Sequence, residues 1–168
     1  MSIRVAIVTI SDKSSAGVRE DLSGPAVREA LVAAGVEFTE AAVEVIADDE
    51  HTITERLFHL TEYGNVDVVL TTGGTGLAPR DVTPQATLTA IDYEVPGLAE
   101  AMRAESTRIT PAGMLSRGIA GVRKGVLIVN LPGSPKAVRE LIPVIAPALP
   151  HAVQTLRGGV GDHSAPHS

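Results

Sequence analysis

A loop with three glycines is the part of this 168-residue chain best suited to hold a phosphate. It reads T-T-G-G-T-G-L-A-P-R-D-V-T from Thr71 to Thr83, and follows an apolar run, Val66 to Leu70, that predicts a buried strand. Because Gly73, Gly74 and Gly76 have no Cβ, the backbone can bring its N–H groups close to an anionic ligand. The spacing therefore predicts a phosphate-binding loop between a strand and a helix.

Arg80 and Asp81 add charged groups to the end of this loop. Arg80 is a permanent cation that can pair with phosphate, and Asp81 is a carboxylate that could hold Mg²⁺. Thr83 and Pro84 then predict the N-cap and the first residue of a helix. Neither G-K-[ST] nor G-x-G-x-x-G is present, so the two common nucleotide motifs are missing. The alternative is a glycine turn in which Arg80 simply pairs with Asp81 in solvent.

Three further loops follow predicted strands in the same way. The strands are Ile3 to Ile10, Phe38 to Ile46 and Gly125 to Asn130, and the loops are Ser11 to Gly17, Asp48 to Glu50 and Leu131 to Ser134. In right-handed β-α-β units, the C-terminal ends of parallel strands lie at one edge of the sheet, where ligands bind. We therefore expect all four loops to converge at that edge.

Asp48 is the candidate partner of Asp81 at this edge. Two carboxylates beside phosphates suit a partly hydrated Mg²⁺ ion. An aspartate before a helix is often only a cap or a partner of the helix dipole, and for either residue alone that alternative stays open. Asp49 and Glu50 are interpreted as solvated neighbours.

Other candidate sites lack the residues that their chemistry needs. His51 and His59 lie about two turns apart on a predicted helix and form no recognisable zinc signature, so no zinc site is predicted. No serine lies in a G-x-S-x-G motif, which argues against a hydrolase of the Ser-His-Asp type.

Composition favours one α/β domain. The chain is 44% hydrophobic but only 2% aromatic, so Val, Ile, Leu and Ala must fill the core, as in parallel sheets covered by helices. We predict a single domain over residues 1–157 and a flexible tail over residues 158–168. The chain contains no Cys, which excludes disulfides, thiolate metal ligands and Cys nucleophiles.

Charge and hydropathy limit the partners. The net charge is −6 and no basic cluster is interleaved with aromatic residues, so no nucleic-acid partner is predicted. No apolar run reaches membrane-spanning length and no leader peptide is recognisable, so we predict a cytoplasmic protein without membrane contact.

The sequence resembles the molybdenum cofactor biosynthesis proteins of the MoaB/Mog group. Three motifs carry the resemblance: T-T-G-G-T-G-x-x-x-R-D-V-T-P from Thr71, L-S-R-G from Leu115 and N-L-P-G-S-P from Asn130. Two positions depart from the family pattern. Ala47 stands where Pro often precedes the first aspartate, and Gln85 stands where an acidic residue often follows Thr-Pro.

The resemblance implies a three-layer sandwich whose central, mostly parallel sheet has helices on both faces. It also implies a homotrimer, or a hexamer, that uses Mg²⁺ and ATP to adenylylate molybdopterin. A non-catalytic molybdopterin carrier or assembly protein is the alternative, and other cofactor-assembly proteins are further expected partners. Asp48 and Asp81 match the two essential aspartates of the family. The expected substrate-binding and phosphate-binding residues are Ser11, Gly73, Gly74, Thr75, Gly76, Arg80, Ser116, Asn130, Pro132, Gly133 and Ser134.

Overall fold

Strands and helices alternate along most of the chain. The computed structural model describes residues 1–158, and all but the first residue of the predicted tail lies outside the described residues. The strands are β1 (Ile3–Ile10), β2 (Phe38–Ile46), β3 (Val68–Thr72), β4 (Tyr93–Glu94), β5 (Ala120–Arg123) and β6 (Val126–Leu131). The helices are α1 (Asp12–Ser15), α2 (Ser23–Ala33), α3 (Glu50–Tyr63), α4 (Thr83–Ala90), α5 (Pro96–Ile109), α6 (Pro135–Ile145) and α7 (Leu149–Leu156). Two 3-10 turns cover Pro111–Leu115 and Ala146–Ala148.

The six strands form one mixed sheet in the order β2-β1-β3-β6-β5-β4. The first four strands are parallel, whereas β5 and β4 are antiparallel to their neighbours. From β1 the chain moves to β2 on one side, and then to β3 on the other side. The strand order thus reverses between β1 and β3, and such a reversal leaves a crevice outside the C-terminal ends of the two strands.

Helices cover both faces of this sheet. On β1, Ile3, Val5 and Ile7 belong to the apolar cluster that includes residues of α2, α5, α6 and α7. The alternate residues, such as Ala6 and Val8, belong to a second cluster that includes residues of α3 and α4. Because successive side chains of a strand point to opposite faces, this alternation separates the two helical layers. The predicted three-layer α/β sandwich is confirmed.

Several observed elements near the site differ from the predicted ones. The predicted loop from Ser11 to Gly17 contains the short helix α1, and Glu50, which was predicted to lie in a loop, begins α3. The central strand begins at Val68 instead of Val66, because Asp67 is held by Arg4 and Arg157 before the strand starts. Helix α4 begins at Thr83 itself, so the prediction of Thr83 as its N-cap was wrong by one residue.

Two short antiparallel strands, β4 and β5, are absent from the predicted strands. β5 pairs with β6 through a two-residue hairpin in which Lys124 and Gly125 both have positive φ, 47° and 74°. Such a turn matches the twist of an antiparallel pair, but Lys-Gly is a weaker signal for it than Asn-Gly or Asp-Gly.

Within residues 1–158, no helix has both the length and the apolar character needed to cross a membrane.

Candidate functional site

The loops that follow β1, β2, β3 and β6 surround one open cavity of about 500 Å³ at the C-terminal edge of the parallel strands. This volume lies within the roughly 300–1,000 Å³ that is typical of small-molecule sites. Seven of the predicted site residues line the cavity, namely Ser11, Asp48, Gly73, Gly74, Asp81, Gly133 and Ser134. Asp48 and Asp81, which are 33 positions apart in the sequence, therefore face the same space.

Glycine is required at two positions of the loop after β3. Gly73 and Gly74 have φ values of 106° and 70°, which side-chain-bearing residues rarely adopt. A Cβ on Gly73 would also collide with the carbonyl oxygen of Ile10, and one on Gly74 would collide with the Thr83 hydroxyl. Thr83 closes the loop, because its hydroxyl donates to the Gly73 carbonyl at 2.9 Å and its N–H to the Gly74 carbonyl at 3.1 Å.

The loop leaves a row of backbone amides without an internal partner. The Gly73 N–H donates to the Leu131 carbonyl at 3.1 Å and is already used. The next three N–H groups, of Gly74, Thr75 and Gly76, have no acceptor among residues 1–158. Successive backbone amides of this kind form an anion-binding concavity.

Asp48 is half-buried just after β2 and lies near two acidic side chains and the Arg80 guanidinium. Its Oδ2 accepts the Asp12 N–H at 2.8 Å, while Asp12 Oδ1 accepts the Asp48 N–H at 3.0 Å. Burial raises the pKa of Asp48, and the charges of Asp12 and Asp81 raise it further, against the lowering effects of the Asp12 amide and the Arg80 charge. The influence of Asp81 shows that the two predicted catalytic carboxylates are electrostatically coupled.

Arg80 does not pair with Asp81, so the alternative of a glycine turn with a solvated Arg80–Asp81 pair is wrong. Its Nε and Nη2 donate to the two carboxylate oxygens of Asp12, at 2.9 and 3.0 Å, and this ion pair lowers the pKa of Asp12. The reason is local: Asp81 Oδ2 turns back to accept the Ala78 N–H at 3.0 Å, which leaves the arginine to reach across to α1.

Asp48 and Asp81 each have a carboxylate oxygen that is free to contact a divalent cation. Neither Oδ1 of this pair has a hydrogen-bond donor within the described chain. No group of three or more histidine, aspartate or glutamate residues in residues 1–158 is arranged to hold a metal. Two carboxylates would leave the other coordination positions to water and phosphate, which is the usual way proteins bind Mg²⁺ beside nucleotides.

The loop after β6 is tied to its neighbours by main-chain oxygens. The Thr72 hydroxyl donates to the Pro132 carbonyl at 2.7 Å, and the Ser23 hydroxyl donates to the Gly133 carbonyl. Ser134 caps α6 by accepting the Ala137 N–H at 3.4 Å. These contacts place the N-terminus of α6 at the cavity.

Ser116, Asn130 and Pro132 line a separate pocket of about 30 Å³. The Asn130 side chain is used inside the protein, because its Nδ2 donates to the hydroxyls of Thr71 and Thr87, each at 3.0 Å. Its Oδ1 accepts the Ile119 N–H at 3.2 Å. The structure thus gives this side chain internal partners that hold β6 to β3 and α4.

Comparison with known proteins shows the family to which this chain belongs. A family model described as a probable molybdopterin binding domain matches residues 6–151. The chain belongs to this molybdopterin-binding family. It is 40% identical over 157 residues to the molybdopterin adenylyltransferase of Helicobacter pylori strain J99, a match that covers 94% of this chain and 89% of that enzyme. The Escherichia coli K12 molybdopterin adenylyltransferase is 38% identical, with coverages of 94% and 87%.

Solved structures of the molybdopterin-binding family share the fold. The molybdopterin biosynthesis enzyme MoaB of Thermus thermophilus is 48% identical and superimposes with a TM-score of 0.86, covering 93% of this chain and 97% of that one. The tungsten cofactor synthesizing protein MoaB of Pyrococcus furiosus is 32% identical, with a TM-score of 0.82 and coverages of 93% and 98%. The resemblance seen in the sequence motifs is confirmed.

Two residues that contact the candidate site without lining the cavity were missed by the sequence analysis. Asp12 joins Arg80 to Asp48, and Arg117 donates to the main chain of the loop that carries Asp81. Asp12 directly follows a predicted strand, so its position was a usable signal. Arg117 lies in the L-S-R-G motif, but nothing in that motif indicates which loop its side chain reaches.

We expect Asp48→Asn to stabilise the free protein at neutral pH. A folded-state pKa above the ordinary value means that this carboxyl favours folding only below its unfolded pKa, and that the benefit is lost as pH rises through the folded pKa. The amide keeps an oxygen for the Asp12 N–H and removes the repulsion, so a gain of about 0.5–1 kcal/mol is expected at pH 7. Urea unfolding at about pH 7 and about pH 3.5 measures the difference in the free energy of unfolding between Asp48→Asn and the wild type. This difference should disappear at the lower pH.

Asp49 provides the matched control for this substitution. It is the N-cap of α3 and accepts the Thr52 N–H and hydroxyl, which lower its pKa. Asp49→Ala should therefore lower the stability at pH 7, the opposite sign to Asp48→Asn. A loss of stability in Asp48→Asn would show that its charge is not opposed by the acidic neighbours.

Proposed function

We propose that this protein transfers the adenylyl group of ATP to molybdopterin in a magnesium-dependent reaction. The observation that carries the proposal is that Asp48 and Asp81 line the same cavity as a loop with unpartnered backbone amides. The relatives named molybdopterin adenylyltransferase, which match nearly the whole chain, support the same reaction.

The proposed step is an in-line displacement at phosphorus. An oxygen of the terminal phosphate of molybdopterin attacks the α-phosphorus of ATP and forms a new P–O bond. The bond from that phosphorus to the oxygen bridging to the β-phosphate breaks, and pyrophosphate leaves with the electron pair. No covalent bond to the protein is needed, so the chain contributes positioning and electrostatic stabilisation.

Each part of the cavity has a separate role in this proposal. The amides of Gly74, Thr75 and Gly76 donate to phosphate oxygens, where they offset negative charge in a fixed geometry. Ser134 and the start of α6, which also line the cavity, offer a helix N-terminus as a second place for an anion. Arg80 is held by Asp12, from where it can reach an incoming phosphate.

Asp48 and Asp81 would hold the metal. Mg²⁺, when bound, supplies positive charge that offsets the developing charge on the pyrophosphate leaving group. Burial and the charges of Asp12 and Asp81 disfavour the ionised form of Asp48. A bound cation would offset this repulsion. This electrostatic environment is the reason for assigning both carboxylates to the metal.

A non-catalytic molybdopterin carrier is the alternative. A carrier of an anionic phosphate would gain nothing from Asp48 and Asp81 at the same cavity, because like charges repel the ligand. The deciding experiment incubates the purified protein with molybdopterin and MgATP and measures adenylyl-molybdopterin and pyrophosphate. Formation of both in equal amounts supports the enzyme, whereas calorimetric binding of molybdopterin without MgATP binding or pyrophosphate supports the carrier.

We also propose a homotrimer, with a hexamer as the alternative, in the cytoplasm, where the reaction would draw on ATP. Large apolar side chains that remain exposed on the single chain support an assembly; they include Leu77, Met114 and Leu115, which are 64%, 62% and 53% exposed. Sedimentation equilibrium measures the mass of the assembly directly.

A further inference from the structure

Arg117 contacts the loop that carries Asp81 at three points and helix α4 at a fourth. Its N–H donates to the Thr75 carbonyl at 2.9 Å, and its Nε donates to the Gly76 carbonyl at 2.9 Å. Its Nη2 donates to the Asp81 carbonyl at 2.6 Å, and its Nη1 to Gln85 Oε1 at 3.2 Å. One guanidinium therefore joins the two ends of the segment 76–81.

Apart from Arg117, the segment 76–81 is held to the rest of the described chain by one exposed ion pair. Arg80 donates to Asp12 on α1, and the two side chains are 66% and 41% exposed. Asp81 and Ala78 bond to each other, since the Asp81 N–H donates to the Ala78 carbonyl at 2.9 Å and the Ala78 N–H to Asp81 Oδ2 at 3.0 Å. Leu77 is 64% exposed on the single chain, so packing within that chain does not anchor the segment.

Arg117 is itself held by the scaffold on both sides. The Nη1 of Arg103, on α5, donates to the carbonyls of Ser116 and Gly118 at 2.9 and 3.0 Å. Two residues after Arg117, Ile119 donates its N–H to the buried Asn130 side chain. Arg117 therefore connects α5 and β6 to the loop that carries Asp81.

We propose that Arg117 is a positioning residue that fixes the Asp81 carboxylate and the amides of residues 74–76 through main-chain carbonyls. Its role in catalysis rests on the function proposed above, but its role in holding the loop does not. The planar guanidinium can donate to two carbonyls at once, whereas a lysine ammonium is a single point charge that lacks this fixed geometry. Arg117→Lys keeps the positive charge and most of the aliphatic side chain, and therefore tests the paired hydrogen bonds to the carbonyls of Gly76 and Asp81.

The control is Arg123→Lys. Arg123 is also partly buried and uses two guanidinium nitrogens, one fewer than Arg117. It donates to Thr61 and Glu62 while it lies over the Phe58 ring, away from the loop that carries Asp81. Both variants therefore lose side-chain hydrogen bonds made by a partly buried guanidinium. An effect seen only in Arg117→Lys is then caused by the loss of its contacts with the loop that carries Asp81.

The first measurement is hydrogen exchange, which needs no substrate. The N–H groups of Asp81 and Thr83 are hydrogen-bonded within the loop, and we expect both to exchange at least about 10-fold faster in Arg117→Lys. Arg123→Lys should leave them unchanged. Unchanged exchange in Arg117→Lys, with the fold intact by thermal unfolding, would overturn the proposal.

The second measurement is a double-mutant cycle under single-turnover conditions. Arg117→Lys should lower the rate of pyrophosphate formation about 10- to 100-fold with a smaller change in the apparent Kd for molybdopterin, because a small misplacement affects the reacting geometry most. In the Asp81→Asn background, Arg117→Lys should cause little further loss, since both changes remove the same contribution. A full, multiplicative loss in that background would overturn the proposal.

The two measurements separate the positioning role from the proposed function. If the wild type forms no pyrophosphate but the loop amides exchange faster in Arg117→Lys, the proposed function fails and the positioning role stands.

Discussion

Asp81→Asn is expected to lower the rate of pyrophosphate release from MgATP and molybdopterin by about 100- to 1,000-fold, the range found when one preorganised electrostatic group is removed. The amide can still accept the Ala78 N–H through its carbonyl oxygen, so the loop should keep its shape. It cannot supply the negative charge that the proposed magnesium site requires. The loss should therefore appear in the rate and not in the fold.

Asp92→Asn is the control for this result. Asp92 also accepts a backbone N–H, that of Lys124 at 2.9 Å, but it does not line the cavity. Pyrophosphate release should be unchanged in Asp92→Asn, and both variants should unfold within a few degrees of the wild type. Release by Asp81→Asn within about threefold of the wild type, less than the loss expected from one electrostatic group, would exclude Asp81 from the metal site.

The largest loss of stability is expected from Asp67→Asn. Asp67 is 5% exposed and accepts side-chain hydrogen bonds from Arg4 and Arg157, which join β1 to the C-terminal end of α7. Breaking a buried ion pair costs about 3–5 kcal/mol. The two arginine side chains are 38% and 39% exposed and can be rehydrated, so we expect about 2–3 kcal/mol here.

Urea unfolding as a function of pH tests this expectation. Burial alone would raise the pKa of Asp67, but the hydrogen bonds from Arg4 and Arg157 outweigh it and hold the pKa well below its usual range. The stabilisation is therefore complete above the unfolded pKa, about 3.9, and is lost as pH falls through the folded value. The difference between wild type and Asp67→Asn should be constant from pH 5 to 7 and should shrink below pH 4.

Glu105→Gln provides the comparison for the buried pair. Glu105 pairs with Arg108 three residues later on α5, at the surface, where the arginine side chain is 70% exposed. Surface pairs of this kind contribute little, so the stability should change far less than in Asp67→Asn. Equal losses in the free energy of unfolding in the two variants would contradict the conclusion that Asp67 stabilises the fold by joining Arg4 to Arg157.

The convergence of the site loops could be predicted from the sequence because it follows from β-α-β topology. The apolar run Ile3–Ile10 is readily identified as a strand. Phe38–Ile46 is mixed in pattern but strand-rich at its end, and both strands have the predicted bounds. Parallel strands then bring Asp48 and Asp81 to one edge whatever the details of their loops. The fold and the cavity therefore depend on features that are local in the sequence.

The pairing of side chains around the cavity could not be predicted in the same way. Arg80 is adjacent to Asp81 in the sequence, yet it pairs with Asp12, while Asp81 accepts the Ala78 N–H of its own loop. Arg117 reaches Asp81 across 36 positions from a motif that carries no information about its partner. Such contacts depend on the path of loops, which periodicity does not specify.

A crystal structure of the protein with MgATP or AMP tests the central claim most directly. The phosphate nearest the ribose should lie within hydrogen-bonding distance of the amides of Gly74 to Gly76, and any metal should contact both Asp48 and Asp81. Nucleotide bound away from this loop, with the two carboxylates making no contact to metal or phosphate, would contradict it.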